Sequence, residues 1–399
     1  MQIRKFFTFE KAAGVIMLIS MALALIAANS PLAGLYQAIH HSPIHIRVGG
    51  LIFEGTLVHW INQGLMVIFF VLVGFEIKRQ MIEGHLSTAK SAALPAISAL
   101  GGMLVPAIIY VGLNIGDAAA IKGWAVPTAT DIVLALSILS LLGPRVPVGL
   151  KVFLTALAIF DDIGAVVIIG IFYGEHFALA PVLIAATAVG GLGLLNRARI
   201  CHPAAYVAVG TVLWLAMMKS GLEAALAGVV IAFFVPMYTE CHSPLRTAEK
   251  ALHPWSVLLV VPAFVFINSG ISIDGRAVLD FSNGVWTGTV FGLLVGKQLG
   301  VFGAAWLAVK TGISELPRGV TWRHVYGASL LAGIGFTMSL FIASRAFPDP
   351  TVLATAKLAI LIGSLLSALG GILVIRRCLG HSEAPDCRDI ARDFDAKEA

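Results

Sequence analysis

Between Leu150 and Tyr173 the sequence reads LKVFLTALAIFDDIGAVVIIGIFY, with Asp161 and Asp162 side by side near the centre of an apolar run. About 20 apolar residues in a helix cross the ~30 Å hydrocarbon core of a bilayer. A carboxylate at that depth costs from about 2.5 kcal/mol upward, so ionisable residues there face a bundle interior or a watery cavity and mark ion or proton paths. Neighbouring residues on a helix point about 100° apart. One aspartate can therefore face a cavity while the other meets a partner.

The rest of the chain has the same character. Of 399 residues, 58% are hydrophobic and only 12% charged, against about 25% charged in soluble domains. An all-α polytopic membrane protein follows, one membrane domain over residues 1–399 with no soluble domain of useful size. The net charge of +5 is no sign of nucleic-acid binding, because Lys and Arg in such chains set orientation. Apolar runs give about twelve expected spans, at 12–30, 58–82, 94–114, 121–142, 150–174, 179–196, 204–219, 222–237, 254–272, 287–310, 325–346 and 353–377. The first is read as a retained helix, because its apolar run is too long for a signal peptide and no convincing cleavage site follows. With both termini inside, the cytoplasmic side receives most basic residues, among them Lys78, Arg79, Lys151, Arg197, Arg199, Arg246, Lys250, Arg323, Arg376 and Arg377. The other side receives Arg47, Lys122, Lys219, Arg276, Arg345 and Lys357. Cys201, Cys241, Cys378 and Cys387 then all lie inside and are read as unpaired thiols.

Between the first two spans, alternation at Ile44, Ile46 and Val48, the Gly49-Gly50 pair and the run Leu51-Ile52-Phe53 predict a β-hairpin at about 43–55. Isolated hairpins are marginally stable, so it is expected to rest on a second copy of the chain or on its own protein.

Two spans carry breaks. The fourth contains Val126-Pro127-Thr128-Ala129-Thr130-Asp131, and the eleventh contains Gly333-Ile334-Gly335-Phe336-Thr337-Met338-Ser339. Proline removes a backbone donor, and hydroxyls and carboxylates replace lost backbone partners. Two interrupted helices that cross bring like ends together, N-termini positive and C-termini negative. Asp131 suits the positive ends, and Lys297 is expected beside the negative ones. Structural countercharge and direct transport chemistry are the two readings of Lys297. Glu76, Lys78, Lys219 and Glu223 lie near span ends and read as snorkelling residues. Paired carboxylates with hydroxyls are hard oxygen ligands suited to Na⁺ or Li⁺, and the same oxygens bind protons. A site that holds either cation or protons is an exchanger.

The strings PTATDIVLALSILSLLG (Pro127–Gly143), ALAIFDDIGAVVII (Ala156–Ile169), GKQLGVFG (Gly296–Gly303), AGIGFTMSLFIA (Ala332–Ala343) and LVGFEIKRQM (Leu72–Met81) resemble the bacterial NhaA family of sodium/proton antiporters. This family is one of those that exemplify inverted repeats in transporters. The resemblance covers nearly the whole chain. It implies an electrogenic, pH-regulated antiporter of the inner membrane, serving sodium and pH homeostasis, with no cofactor. Its fold implies helices three to five (about 94–174) and ten to twelve (about 287–377) as inverted repeats, with the fourth and eleventh crossing where they break. By motif, Asp161 and Asp162 are the cation and proton site, where Na⁺ is held, and Thr130 and Asp131 lie at the crossing. Lys297 is the countercharge. Glu76 and Glu249, with Arg246 as their basic partner, belong to the pH response. The periplasmic hairpin implies a homodimer. Glu223 departs from the family, standing where well-known members carry a histidine, and Gln80 replaces a common acidic residue.

Other classes fit less well. A symporter for an organic solute needs a larger midplane pocket with aromatic and amide groups. An intramembrane aspartic protease needs its aspartates on separate helices. A channel would carry steady current at fixed gradients.

Overall fold

The structure is a computed structural model that describes residues 2–48, 51–83, 89–143, 145–174, 178–238, 243–271 and 282–379. The Gly49-Gly50 turn, Arg276, Cys241 and Cys387 lie outside the described residues. In chain order the elements are α1 (Gln2–Ala28), α2 (Ala33–His41), β1 (Pro43–Val48), β2 (Leu51–Thr56), α3 (Leu57–Ile82) and α4 (Ala89–Leu113). A 3-10 segment (Ala120–Thr128) leads to α5 (Ile132–Leu141), α6 (Val148–Phe172), α7 (Leu179–Arg197), α8 (Pro203–Ser220) and α9 (Leu226–Phe234). The last elements are α10 (Pro244–Ser269), α11 (Gly284–Lys310), α12 (Trp322–Ala332), α13 (Phe336–Ala346) and α14 (Pro350–Leu379).

Among the described residues, ten helices are long and apolar enough to cross a membrane. The bent pair α12–α13 makes eleven if counted as one span. The remaining expected span, 222–237, is the nine-residue α9. At about 1.5 Å per residue such a helix covers less than half of a bilayer core. Its C-terminus is closed from another element: Lys78 Nζ donates to the carbonyls of Phe233 (2.7 Å) and Val235 (2.6 Å). Lys78 therefore caps a helix end rather than reaching out to the membrane surface, because a cation satisfies the free carbonyls there.

The hairpin forms as expected, with antiparallel register from Pro43 opposite Thr56 to Val48 opposite Leu51. It is tied to the top of α3 by Trp60 Nε1, which donates to the Ile44 carbonyl at 3.4 Å. Large apolar side chains point outward along the helices, such as Ile108 (68% exposed) and Val207 (65%). In water such a surface is a liability, whereas in hydrocarbon it is the favoured exterior. Inside, helices approach closely where glycines meet: a Cβ on Gly101 would collide with the Gly300 carbonyl, and one on Gly300 with that of Gly101. This contact joins α4 to α11 and brings Lys297 against the middle of the bundle.

Candidate functional site

Both expected breaks are present and they touch. In the first, the chain leaves the 3-10 segment with Ala129 extended (φ −86, ψ 152) and re-enters a helix after Asp131 (φ −84, ψ 98). In the second, α12 and α13 meet at 41° across Gly333–Gly335. Backbone joins them directly, the Asp131 N–H donating to the Ile334 carbonyl at 2.6 Å.

Asp131 caps two helices at once. Its Oδ1 accepts from the Leu134 N–H of its own helix (3.0 Å), and its Oδ2 accepts from the Thr337 N–H (3.1 Å) and hydroxyl (2.6 Å) at the start of α13. Two half-helix N-termini thus share one carboxylate, which satisfies orphan donors and opposes both positive dipole ends. Ser339 Oγ extends the crossing by donating to the Val126 carbonyl (2.7 Å), and Ser364 Oγ accepts from the Phe336 N–H (3.2 Å). Ser364 carries no signal in the sequence, whereas Thr337 belongs to the second break. The signal for Thr337 is a hydroxyl in the first turn after a helix-breaking glycine pair.

Asp161 lies beside this crossing. Lys297 Nζ donates to its Oδ2 at 2.5 Å, and both side chains are wholly buried. Lys297 thus meets one of the two aspartates directly, with Thr130 linking the same carboxylate oxygen to the Ala332 carbonyl at the end of α12. A π-turn over Gly292–Gly296 directly precedes Lys297, and such turns re-aim the residues that follow. Thr130 Oγ1 is within hydrogen-bonding distance of Asp161 Oδ2 (2.5 Å) and of the Ala332 carbonyl (2.8 Å). A single hydroxyl hydrogen serves only one acceptor at a time. The other oxygen, Asp161 Oδ1, is buried and has no hydrogen-bond partner among the described residues. A buried acceptor left open is costly unless something else fills it.

Asp162, one residue on, is 4% exposed and lines a cavity of about 190 Å³. The same cavity is lined by Glu76, Arg79, Glu249 and His253 from α3 and α10. It therefore connects Asp162 to a charged group near the end of the bundle opposite the hairpin. There Arg79 Nη2 pairs with Glu76, Arg79 Nε donates to Glu249 Oε1 (3.1 Å), and Gln80 Nε2 donates to Glu76 Oε1 (2.8 Å).

Arg246 does not fill the expected place. It pairs with Glu83 and is half exposed, while Arg79 bridges the two carboxylates. Arg79 follows Glu76 by one helical turn, whereas Arg246 shares a helix with Glu249 and extends toward α3's last residues. Glu76 is accordingly part of a network rather than a snorkelling residue. Glu223 also departs from that reading: it is buried and paired with Arg345.

The sequence model of the Na+/H+ antiporter 1 family matches residues 4–375. Curated relatives named Na(+)/H(+) antiporter NhaA include one from Sulfurovum sp., 46% identical over 94% of this chain and 97% of the relative. Another, from Aeromonas salmonicida, is 47% identical over 96% and 97%. A third, from Rhodospirillum rubrum, is 47% identical over 93% and 96%. With its apolar helices, touching helix breaks and near full-length match, the chain is a multi-pass membrane protein that belongs to the Na+/H+ antiporter 1 family.

Proposed function

We propose that the chain is a secondary transporter that exports Na⁺ or Li⁺ in exchange for external protons, with Asp161 and Asp162 as one shared site. The observation that carries this reading is the pairing of an open, buried Asp161 Oδ1 with an Asp162 that lines a cavity. Carboxylate oxygens in a dry site bind a small hard cation or protons, and occupancy by one excludes the other. Thr130 and Lys297 hold Asp161 in place through its other oxygen, leaving Oδ1 directed at the site. Two carboxylates that release protons for one monovalent cation move net charge across the membrane, so exchange is electrogenic.

Asp131 is assigned a structural role, tying the half-helices, and Lys297 the role of countercharge. The segments 94–174 and 287–377 are inverted repeats in this reading, and alternating access moves them about the crossing. Glu76 and Glu249 set the field at the cavity mouth and so shift the pH response; Arg246 joins them only from the rim. In this reading both termini face the cytoplasm across a bacterial inner membrane, which the distribution of basic residues supports. The hairpin offers strands to a second copy, forming a homodimer within the lipid.

The test is Na⁺- or Li⁺-driven dequenching of a pH-sensitive dye in everted vesicles, in wild type, Asp161→Asn and Asp162→Asn. Cation-dependent proton movement in wild type and its loss in both variants is expected. Equal movement in all three would overturn the assignment.

A further inference from the structure

Thr155 stands on α6 seven residues before Asp162, close to two helical turns and about 10 Å along the axis. Thr155, Ile159 and Asp162 therefore share one face of the helix, and all three line the cavity of about 190 Å³. Successive spans alternate in direction from α3, which starts at the hairpin, so α6 starts at the opposite end of the bundle. Thr155 is thus displaced from Asp162 toward the end where Glu76, Arg79, Glu249 and His253 line the same cavity. Much of the remaining wall is apolar, with Phe69, Leu72, Leu136 and Val257 among its residues. Among the described residues that line the cavity, Thr155 carries the one hydroxyl.

That hydroxyl behaves unlike the other helical threonines. A threonine inside a helix commonly donates back to a carbonyl three or four residues earlier. Thr187 does so to Ile184 (2.8 Å), Thr211 to Val207 (2.8 Å) and Thr355 to Thr351 (3.1 Å). Thr155 is half-buried, yet its hydroxyl has no hydrogen-bond partner among the described residues. Nor is its oxygen one of the enclosed, unpartnered atoms. It therefore opens onto the cavity that the residue lines.

We propose that Thr155 is a cation-contacting residue on the approach to Asp162, its hydroxyl oxygen replacing one water around Na⁺ or Li⁺ as the ion crosses the apolar part of the cavity. The inference rests on the antiport reading above and extends it from the site to the path. A charge that loses water among apolar walls pays heavily unless polar groups stand in. A hydroxyl offers two lone pairs, and its oxygen is a hard ligand of the kind small hard cations take. Being uncharged, it eases entry without holding the ion short of the aspartates, as a conducting path requires. Its contribution falls on capture of the cation, and turnover after capture is left to Asp161 and Asp162.

The experiment measures exchange rate against Na⁺ concentration at fixed pH, in everted vesicles carrying the full chain as wild type, Thr155→Val or Thr155→Ser. Thr155→Val keeps the shape and removes the oxygen. Its kcat/KM for Na⁺ is expected to fall about fivefold, as for the loss of one polar contact, through a raised KM with kcat little changed. Thr155→Ser, which keeps the hydroxyl, is expected to stay near wild type. A Thr155→Val protein with wild-type KM would overturn the assignment. So would a fall confined to kcat, or a Thr155→Ser protein no better than Thr155→Val, since each points to packing and not to the oxygen. Should Thr155→Val not reach the membrane, Thr155→Ala is read by the same criteria. Wild-type protein without any exchange would instead overturn the antiport reading.

Discussion

Lys297 Nζ lies 2.5 Å from Asp161 Oδ2, with neither side chain reached by solvent. Removing one partner of a buried pair leaves an uncompensated charge, which costs about 3–5 kcal/mol. Lys297→Ala is expected to lower the melting temperature in detergent markedly, and Lys297→Arg, which keeps the charge, to lower it less. The double variant Asp161→Asn with Lys297→Ala should be more stable than the two single effects added together. A Lys297→Ala protein that melts like wild type would remove the countercharge role.

Asp131 holds two half-helices through separate oxygens. Losing a helix cap costs about 1 kcal/mol each, and here two caps go together with the link between the breaks. Asp131→Ala should therefore destabilise more than Thr337→Val, which removes one hydroxyl donor and leaves the carboxylate in place. Thermal unfolding of the two variants checks the order. The reverse order would mean that the crossing is held elsewhere.

His40 lies on α2, on the hairpin side and outside the apolar spans. Burial and the neighbouring Lys357 ammonium push its imidazole down to about 4. The folded state thus resists a proton that the unfolded chain accepts near pH 6.5. This contribution is fully present above about pH 6.5 and is lost as pH falls from there toward 4. His40→Gln should flatten the dependence of melting temperature on pH in that window. An unchanged slope between the two proteins would show that His40 does not contribute.

The hairpin contains no residue of the aspartate site. Deleting residues 44–53 should weaken a dimer while exchange continues. The monomer–dimer distribution in detergent is the measurement, and an unchanged distribution would take the hairpin out of the interface.

The parts of this structure legible in the sequence are those with a local cause. Proline and threonines at 127–131 and glycines at 333–335 mark the breaks because they remove donors or relax the backbone. The aspartate pair is visible because carboxylates are rare in apolar runs. What a helix meets across the bundle is not local. The 100° step between Asp161 and Asp162 allows either to meet Lys297, and packing decides for Asp161. Arg79 reads as a rim cation until α10 brings Glu249 to it. Glu223 and Arg345 lie 122 residues apart, and each alone resembles a surface charge. The short α9 reads as a full span because Leu222, Ala224, Ala225, Val235 and Met237 on either side of it are apolar, and the cap from Lys78 comes from another helix.

The central claim is that protons and Na⁺ compete for Asp161 and Asp162. Neighbouring carboxylates titrate as a coupled pair, so competition follows the pair as a whole. The most direct measurement is exchange rate against Na⁺ concentration at a series of pH values, in wild type and in Glu249→Gln. The account predicts that apparent KM for Na⁺ rises steeply as pH falls while the maximal rate at saturating Na⁺ changes little, with Glu249→Gln only displacing the curve along the pH axis. A maximal rate that collapses at moderately acidic pH and is not restored by saturating Na⁺ would contradict it.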